Sequence, residues 1–139
     1  MVIVAAQAFG TKISPPSSSR RYEMRIAQRV EGDVTVFLPE GRIDTQAATE
    51  LDDTLQAAVS AGNHNLVVDM AGVDYISSAG LRTLAAVLVK SRGEGGDLKL
   101  AGLNERVTRV LKIVGFDVLM SIHDTSEAAI ADFSSSGTS

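Results

Sequence analysis

The spacing of apolar residues along this chain changes between the period of a strand and the period of a helix. Apolar and polar side chains alternate over residues 22–30, which predicts a half-buried strand with Ile26 and Val30 facing the core. A glycine-containing turn and a second apolar strand over 34–38 follow, so the chain is predicted to begin with a β-hairpin. Between residues 44 and 62, apolar residues recur at every third or fourth position, which predicts a helix.

The rest of the chain repeats this change of period. The pattern predicts a strand buried on both faces over 66–70, then a helix from Ser77-Ser78 to the glycines at 93–96. A strand over 97–101 and a helix from its cap Asn104 to Gly115 follow. The last predicted elements are an edge strand over 118–122 and a helix over 125–133. Helices that link consecutive buried strands imply right-handed crossovers. The predicted fold class is therefore α/β: a single domain with an initial β-hairpin, then αβ units, a mostly parallel sheet of four to five strands and about four helices.

The length of 139 residues fits one domain. Residues 1–21 are predicted to be a flexible leader, with the segment SPPSSS as its unstructured part. Residues 22–133 form the predicted domain, and residues 134–139 form a predicted flexible C-terminal tail. The chain has four Phe, two Tyr and no Trp, so its core must consist of close-packed aliphatic side chains.

The charge and residue content argue against several classes of function. A net charge of −4 disfavours nucleic acid as the partner. The chain has no cysteine, which removes disulfides and sulfur-ligated metals and fits a reducing, cytoplasmic compartment. No apolar run reaches the length of a membrane-spanning helix. For this reason no membrane partner is predicted. The two histidines, His64 and His123, stand apart from other ligands, so no metal site is predicted. No cofactor is predicted either.

The common catalytic motifs are also missing. The glycines at 93, 95 and 96 follow a helix, whereas a dinucleotide-binding fingerprint follows a strand. No phosphate-binding GxxxxGK[ST] motif is present, and neither Ser77 nor Ser78 lies in a GxSxG nucleophile motif. The sequence therefore does not predict an ordinary hydrolase.

The segment 74–80, with 41–45, is predicted to form the functional loops at the carboxyl ends of the strands. Either Ser77 or Ser78 can cap the following helix with its hydroxyl group. A serine at a helix N-terminus is also well placed for phosphorylation, because the backbone amide dipoles favour the added negative charge. Both interpretations, a structural cap and a modification site, remain open at this point.

The segment Ile76–Arg82, taken with Leu66–Met70 and with Gly41-Arg42-Ile43-Asp44, resembles the STAS domain of bacterial anti-sigma factor antagonists. The similarity runs from about Glu23 to Phe133 and includes the order of the elements. It implies a small regulator that is not an enzyme. This regulator binds an anti-sigma factor, which in that family is also a serine kinase, and so frees a sigma factor. In the family, phosphorylation of one serine at the start of the second helix ends the binding, and a serine phosphatase restores it.

Matched by position, the resemblance implies that the phosphate acceptor is Ser78, with Ser77 as the alternative, and that Asp44 is the acidic residue beside the acceptor loop. The implied partner-binding residues are Asp44, Ile76, Ser77, Ser78, Ala79, Gly80, Leu81 and Arg82.

One departure from the family pattern leaves alternatives open. Many members have Asp immediately before the acceptor, whereas this chain has Ser77 there and Asp74 three positions earlier. A second interpretation is therefore a STAS-like docking subunit of a transporter or stressosome-type complex that is not phosphorylated. A third, a small enzyme or nucleotide-binding module using Asp44 and Ser78, lacks an accompanying base, metal ligand or phosphate-binding loop.

Overall fold

The computed structural model describes residues 24–137, so the predicted leader lies outside the described residues. The strands are β1 (Arg25–Glu31), β2 (Val34–Ile43), β3 (Asn65–Asp69), β4 (Gly72–Ile76), β5 (Asp97–Ala101) and β6 (Ile122–His123). The helices are α1 (Thr45–Ser60), α2 (Ser78–Gly93), α3 (Glu105–Ile113), α4 (Phe116–Leu119) and α5 (Ser126–Gly137).

The strands form one mixed sheet in the order β1-β2-β3-β5-β6. β1 and β2 pair antiparallel, with Arg25 opposite Glu40, and form the predicted hairpin. All other pairings are parallel. The fourth strand lies beside the second half of β2 and apart from the main order. The predicted α/β class, with an initial hairpin and a mostly parallel sheet, is confirmed.

The sequence did not predict β4, which lies between the predicted third strand and the second helix. Only Val73 and Ile76 of its five residues are buried, so its pattern is too short to be recognised as a strand. Its hydrogen-bonding partner is β2, which continues to Ile43, five residues beyond the predicted end. Gly41 at φ 106° and a shift in register between Gly41 and Arg42 allow β2 to continue.

Other predicted elements also differ in the structure. The predicted edge strand over 118–122 is wrong, because the left-handed Gly115 starts a new helical turn and only Ile122–His123 pairs with β5. Val30 is 66% exposed, so the prediction that it faces the core is also wrong. The last helix begins at Ser126 and continues to Gly137, four residues beyond the predicted end.

The sheet has a helical layer on each face. On one face, α1, α2 and α3 cover the larger core, which includes Phe37, Leu55 and Leu84. On the other face, α5 packs Ala129 against valines of β2 and β3. The predicted aliphatic core is present, with Phe37 as the aromatic residue among its fully buried side chains.

A buried cation connects α5 to the sheet. The ammonium group of Lys99 lies 3.0 Å from the carboxylate of Asp132 and 3.3 Å from that of Asp97. His123 also contacts Asp132, at 3.1 Å. The hydrogen bond from Lys99 and its positive charge, together with the contact to His123, lower the pKa of Asp132 although burial acts in the opposite direction. Asp132 therefore stays ionised and keeps Lys99 paired beneath α5.

Candidate functional site

The starts of α1 and α2 lie side by side at the carboxyl edge of the sheet. β2 and β4 are parallel neighbours with Ile43 opposite Ile76, and each strand leads directly into a helix. The backbone N–H of Ser77 donates to the carbonyl of Ile43 at 2.8 Å. This hydrogen bond extends the β2–β4 pairing by one residue and brings the two predicted functional loops together, as expected for neighbouring parallel strands.

Each of the two helices has a side-chain cap. A carboxylate oxygen of Asp44 accepts from the backbone N–H of Ala47 at 2.9 Å. The hydroxyl oxygen of Ser77 accepts from the backbone N–H of Gly80 at 3.2 Å. Both capping residues have extended backbones, which is the conformation of an N-cap. Asp44 and Ser77 therefore mark where the two helices begin.

The two adjacent serines have different structural roles. Ser77 is half-buried and uses its N–H, its carbonyl and its hydroxyl group in hydrogen bonds. Ser78 is the first residue of α2 and is exposed. Within residues 24–137 its hydroxyl group forms no hydrogen bond. The structure thus assigns the cap to Ser77 and leaves the hydroxyl group of Ser78 accessible from solvent.

The other predicted partner-binding residues divide into buried and accessible ones. Ile76 is 4% exposed and Gly80 is buried in the first turn of α2, so neither is accessible to a partner. Ala79 and Leu81 are half-buried and pack against the core. Arg82 is exposed. Among the predicted partner-binding residues, the exposed side chains are therefore those of Asp44, Ser78 and Arg82.

Gly80 lets α2 approach the ends of both strands closely. A Cβ atom at this position would lie 2.7 Å from Cγ1 of Ile76 and 2.8 Å from Cγ2 of Ile43. These atoms belong to β-branched side chains in the core, which have little rotational freedom. The absence of a side chain at Gly80 is thus what allows the start of α2, with its two serines, to sit directly on β2 and β4.

Two further contacts support this edge, and the sequence analysis did not identify them. The guanidinium group of Arg42 lies over the ring of Tyr75, 4.1 Å from its centre. The amide nitrogen of Asn104 donates to the carbonyl of Val73 at 3.0 Å, while its oxygen caps α3. Both contacts involve β4, so they could not be predicted while β4 was taken for a loop.

The charges at this edge differ between the two helix starts. Backbone N–H groups at the start of α2 favour an anion and α2 contains no acidic residue, whereas the carboxylate of Asp44 already occupies the start of α1. In the part of the chain that the structure describes, no three His, Asp or Glu side chains are grouped to hold a metal ion. None of the described helices is both long and apolar enough to cross a bilayer.

Comparison with known proteins identifies the same architecture. The STAS domain family model matches residues 25–129. BtrV of Bordetella bronchiseptica, a proposed anti-sigma factor antagonist, is 35% identical over 105 residues, which cover 76% of this chain and 90% of BtrV.

Two solved structures share the fold. An anti-sigma factor antagonist from Mycobacterium paratuberculosis superimposes with a TM-score of 0.73 at 24% identity, covering 79% of this chain and 93% of that one. The phosphorylated form of the Bacillus cell fate determinant SpoIIAA gives a TM-score of 0.62 at 16% identity, covering 78% and 97% of the two chains.

We expect Gly80→Ala to lower the free energy of unfolding by about 1–3 kcal/mol, because the new methyl group overpacks the contact with Ile43 and Ile76. Gly93→Ala is the matched control at the other end of α2, where a Cβ atom meets nothing within 4 Å. The control should be neutral or slightly stabilising. Urea denaturation of both variants measures the difference, and equal stabilities would contradict the close approach.

Alanine substitutions should separate the two serines. Ser77→Ala removes the cap of α2 and should cost about 1 kcal/mol of unfolding free energy. Ser78→Ala removes an exposed hydroxyl group and should change stability by less than about 0.5 kcal/mol. The measurement is again urea denaturation. A larger loss for Ser78→Ala than for Ser77→Ala would reverse the assignment of the cap.

Proposed function

This chain belongs to the STAS domain family, matched over residues 25–129, and on that premise we propose that it is a cytoplasmic anti-sigma factor antagonist. Its partner is an anti-sigma factor that is also a serine kinase, and binding that partner releases a sigma factor. Phosphorylation of Ser78 ends the binding, and a serine phosphatase reverses the modification. The chain itself catalyses no reaction in this scheme.

The observation that carries this proposal is the division of roles between the two serines. A kinase needs a hydroxyl group that can enter its active site without unfolding the substrate. Ser78 offers one, because it is exposed on the first turn of a helix that Ser77 already caps. Phosphorylation of Ser77 would instead require its hydroxyl group to leave Gly80.

The modification itself is a simple phosphoryl transfer. The hydroxyl oxygen of Ser78 forms a bond to the γ-phosphorus of ATP, and the bond between that phosphorus and ADP breaks. The hydroxyl proton passes to a base of the kinase. The product carries about −1.5 to −2 extra charge at neutral pH, at a helix start where backbone N–H groups can accommodate it.

The added charge acts on the partner more than on the domain. Asp44 already contributes a negative charge at the neighbouring helix start, so the phosphate lies beside a like charge on the surface. A partner that fits the unmodified surface then meets added volume and repulsion, and it must desolvate the phosphate in order to stay bound. Such an effect at the centre of an interface lowers affinity by orders of magnitude.

The named relatives support the proposal at two levels. BtrV, at 35% identity, is a proposed anti-sigma factor antagonist. SpoIIAA, which shares the fold, has been solved in a phosphorylated form. The position of the phosphate in this chain is proposed from the geometry of α2 and from the match of Ser78 to the family motif. The kinase-type partner is proposed from the resemblance to the family alone.

One feature favours a second candidate function. The residue before Ser78 is Ser77, where many family members have an acidic residue. A STAS-like docking subunit of a transporter or stressosome-type complex would use the same surface permanently, without phosphorylation. Co-purification with a transporter ATPase, in the absence of a kinase, distinguishes this candidate from the first.

The test uses a kinase-type anti-sigma factor from the same genome. Incubation with ATP should place one phosphate on Ser78 of the wild-type protein, as mapped by mass spectrometry, and none on Ser78→Ala. By calorimetry, Ser78→Ala should bind as the wild type does but resist release by ATP. Ser78→Asp should bind about tenfold or more weakly. Phosphate on neither serine, or equal affinities of the two variants, would reject the proposal.

A further inference from the structure

Arg82 places a positive charge one helical turn after Ser78 on the outer surface of α2. Both residues are exposed. Residues four apart on a helix are neighbours on one face, with Cβ atoms about 5–6 Å apart. The long arginine side chain can therefore reach a group attached to the hydroxyl oxygen of Ser78. Ser77 is five positions from Arg82, which turns it about 140° away around the helix axis.

The guanidinium group of Arg82 is not committed elsewhere within residues 24–137. It takes part in none of the ion pairs or side-chain hydrogen bonds formed among those residues. The sequence of α2 contains no Asp or Glu, so no intrahelical carboxylate can pair with Arg82. From α1, the half-buried Asp52 lines the same groove as Arg82 without forming an ion pair with it.

The first turn of α2 lacks a negative charge, which the positive end of a helix favours. Helices α3 and α5 carry Glu105 and Glu127 in their first turns, which suits the helix dipole, whereas the first turn of α2 has no acidic residue. A dianionic group at Ser78 would supply the missing negative charge to both the helix start and Arg82.

We propose that Arg82 is the residue that receives the phosphate on Ser78 through an ion pair within α2. This inference rests on the proposed function, because it concerns the phosphorylated state of the same site. Guanidinium groups bind phosphate through charge-assisted hydrogen bonds, which suits Arg better than Lys in this role. The side chains of Asp44 and Asp52 act on the same region from α1 and oppose the phosphate.

The ion pair gives phosphorylation a second effect on the docking surface. In the unmodified protein, the exposed side chain of Arg82 is free to contact an acidic group of the partner. After phosphorylation, its guanidinium group spends part of its time paired with the phosphate. One modification then both adds negative charge and weakens a positive contact, without moving the backbone.

The experiment measures the second pKa of the phosphate by ³¹P NMR, in full-length protein carrying phosphoserine at position 78 by cotranslational incorporation. Arg82→Ala should raise this pKa by about 0.2–0.4, the equivalent of one helical ion pair. Arg82→Lys should restore part of the shift. The difference should shrink at high salt, because the pair is exposed.

Lys90→Ala is the matched control, since it removes an exposed cation from the same helix at a position about 18 Å from Ser78 along the axis. It should leave the phosphate pKa unchanged. Equal pKa values for Arg82→Ala and Lys90→Ala would overturn the inference, as would an equal effect of Arg82→Ala on phosphoserine at position 77. Because the phosphate is incorporated during synthesis, this result is independent of whether a kinase modifies Ser78.

Discussion

The parallel pairing between the second half of β2 and β4 is the contact on which the site depends. It ends in the hydrogen bond from the N–H of Ser77 to the carbonyl of Ile43, at 2.8 Å, and so places two helix starts next to each other. Gly80 then allows α2 to rest directly on Ile43 and Ile76. Without this pairing, Asp44 and Ser78 would lie on unconnected loops.

The residues that support this edge are different from the residue that we propose is phosphorylated. The buried side chains of Ile43 and Ile76 and the backbone of Gly80 form the support, and the hydroxyl group of Ser77 caps the start of α2. Ser78 lies one residue further on and has no structural task among the described residues. A charge can therefore be added to Ser78 while the cap, the core and the strand pairing stay as they are.

Most of the fold could be predicted from the sequence, because the period of apolar residues and the capping residues are local signals. The hairpin, α1 and the cap Asn104 follow from such signals. β4 and the end of β2 depend on pairing between segments about 30 residues apart, and the Pro-Glu-Gly run after Leu38 suggests that the strand stops.

The residues of the candidate site could be selected from the sequence, but which of them cap a helix, lie buried or stay exposed could not. Spacing alone could not decide whether Ser77 or Ser78 caps α2, since the two differ by one residue in a backbone position that only the structure reveals. The burial of Ile76 and Gly80 could not be predicted either, because it depends on β4, which the sequence did not reveal. The contact between Arg42 and Tyr75 likewise required knowledge of the β2–β4 register.

The central claim is that a charge at Ser78 changes the surface of a rigid domain. Comparison of backbone amide chemical shifts in the unmodified protein and in the protein phosphorylated at Ser78 tests this claim most directly. We predict large changes only around the starts of α1 and α2, with the amides of β3 and β5 unaffected. Widespread changes across β3 and β5 would show that phosphorylation rearranges the core, and this account would be wrong.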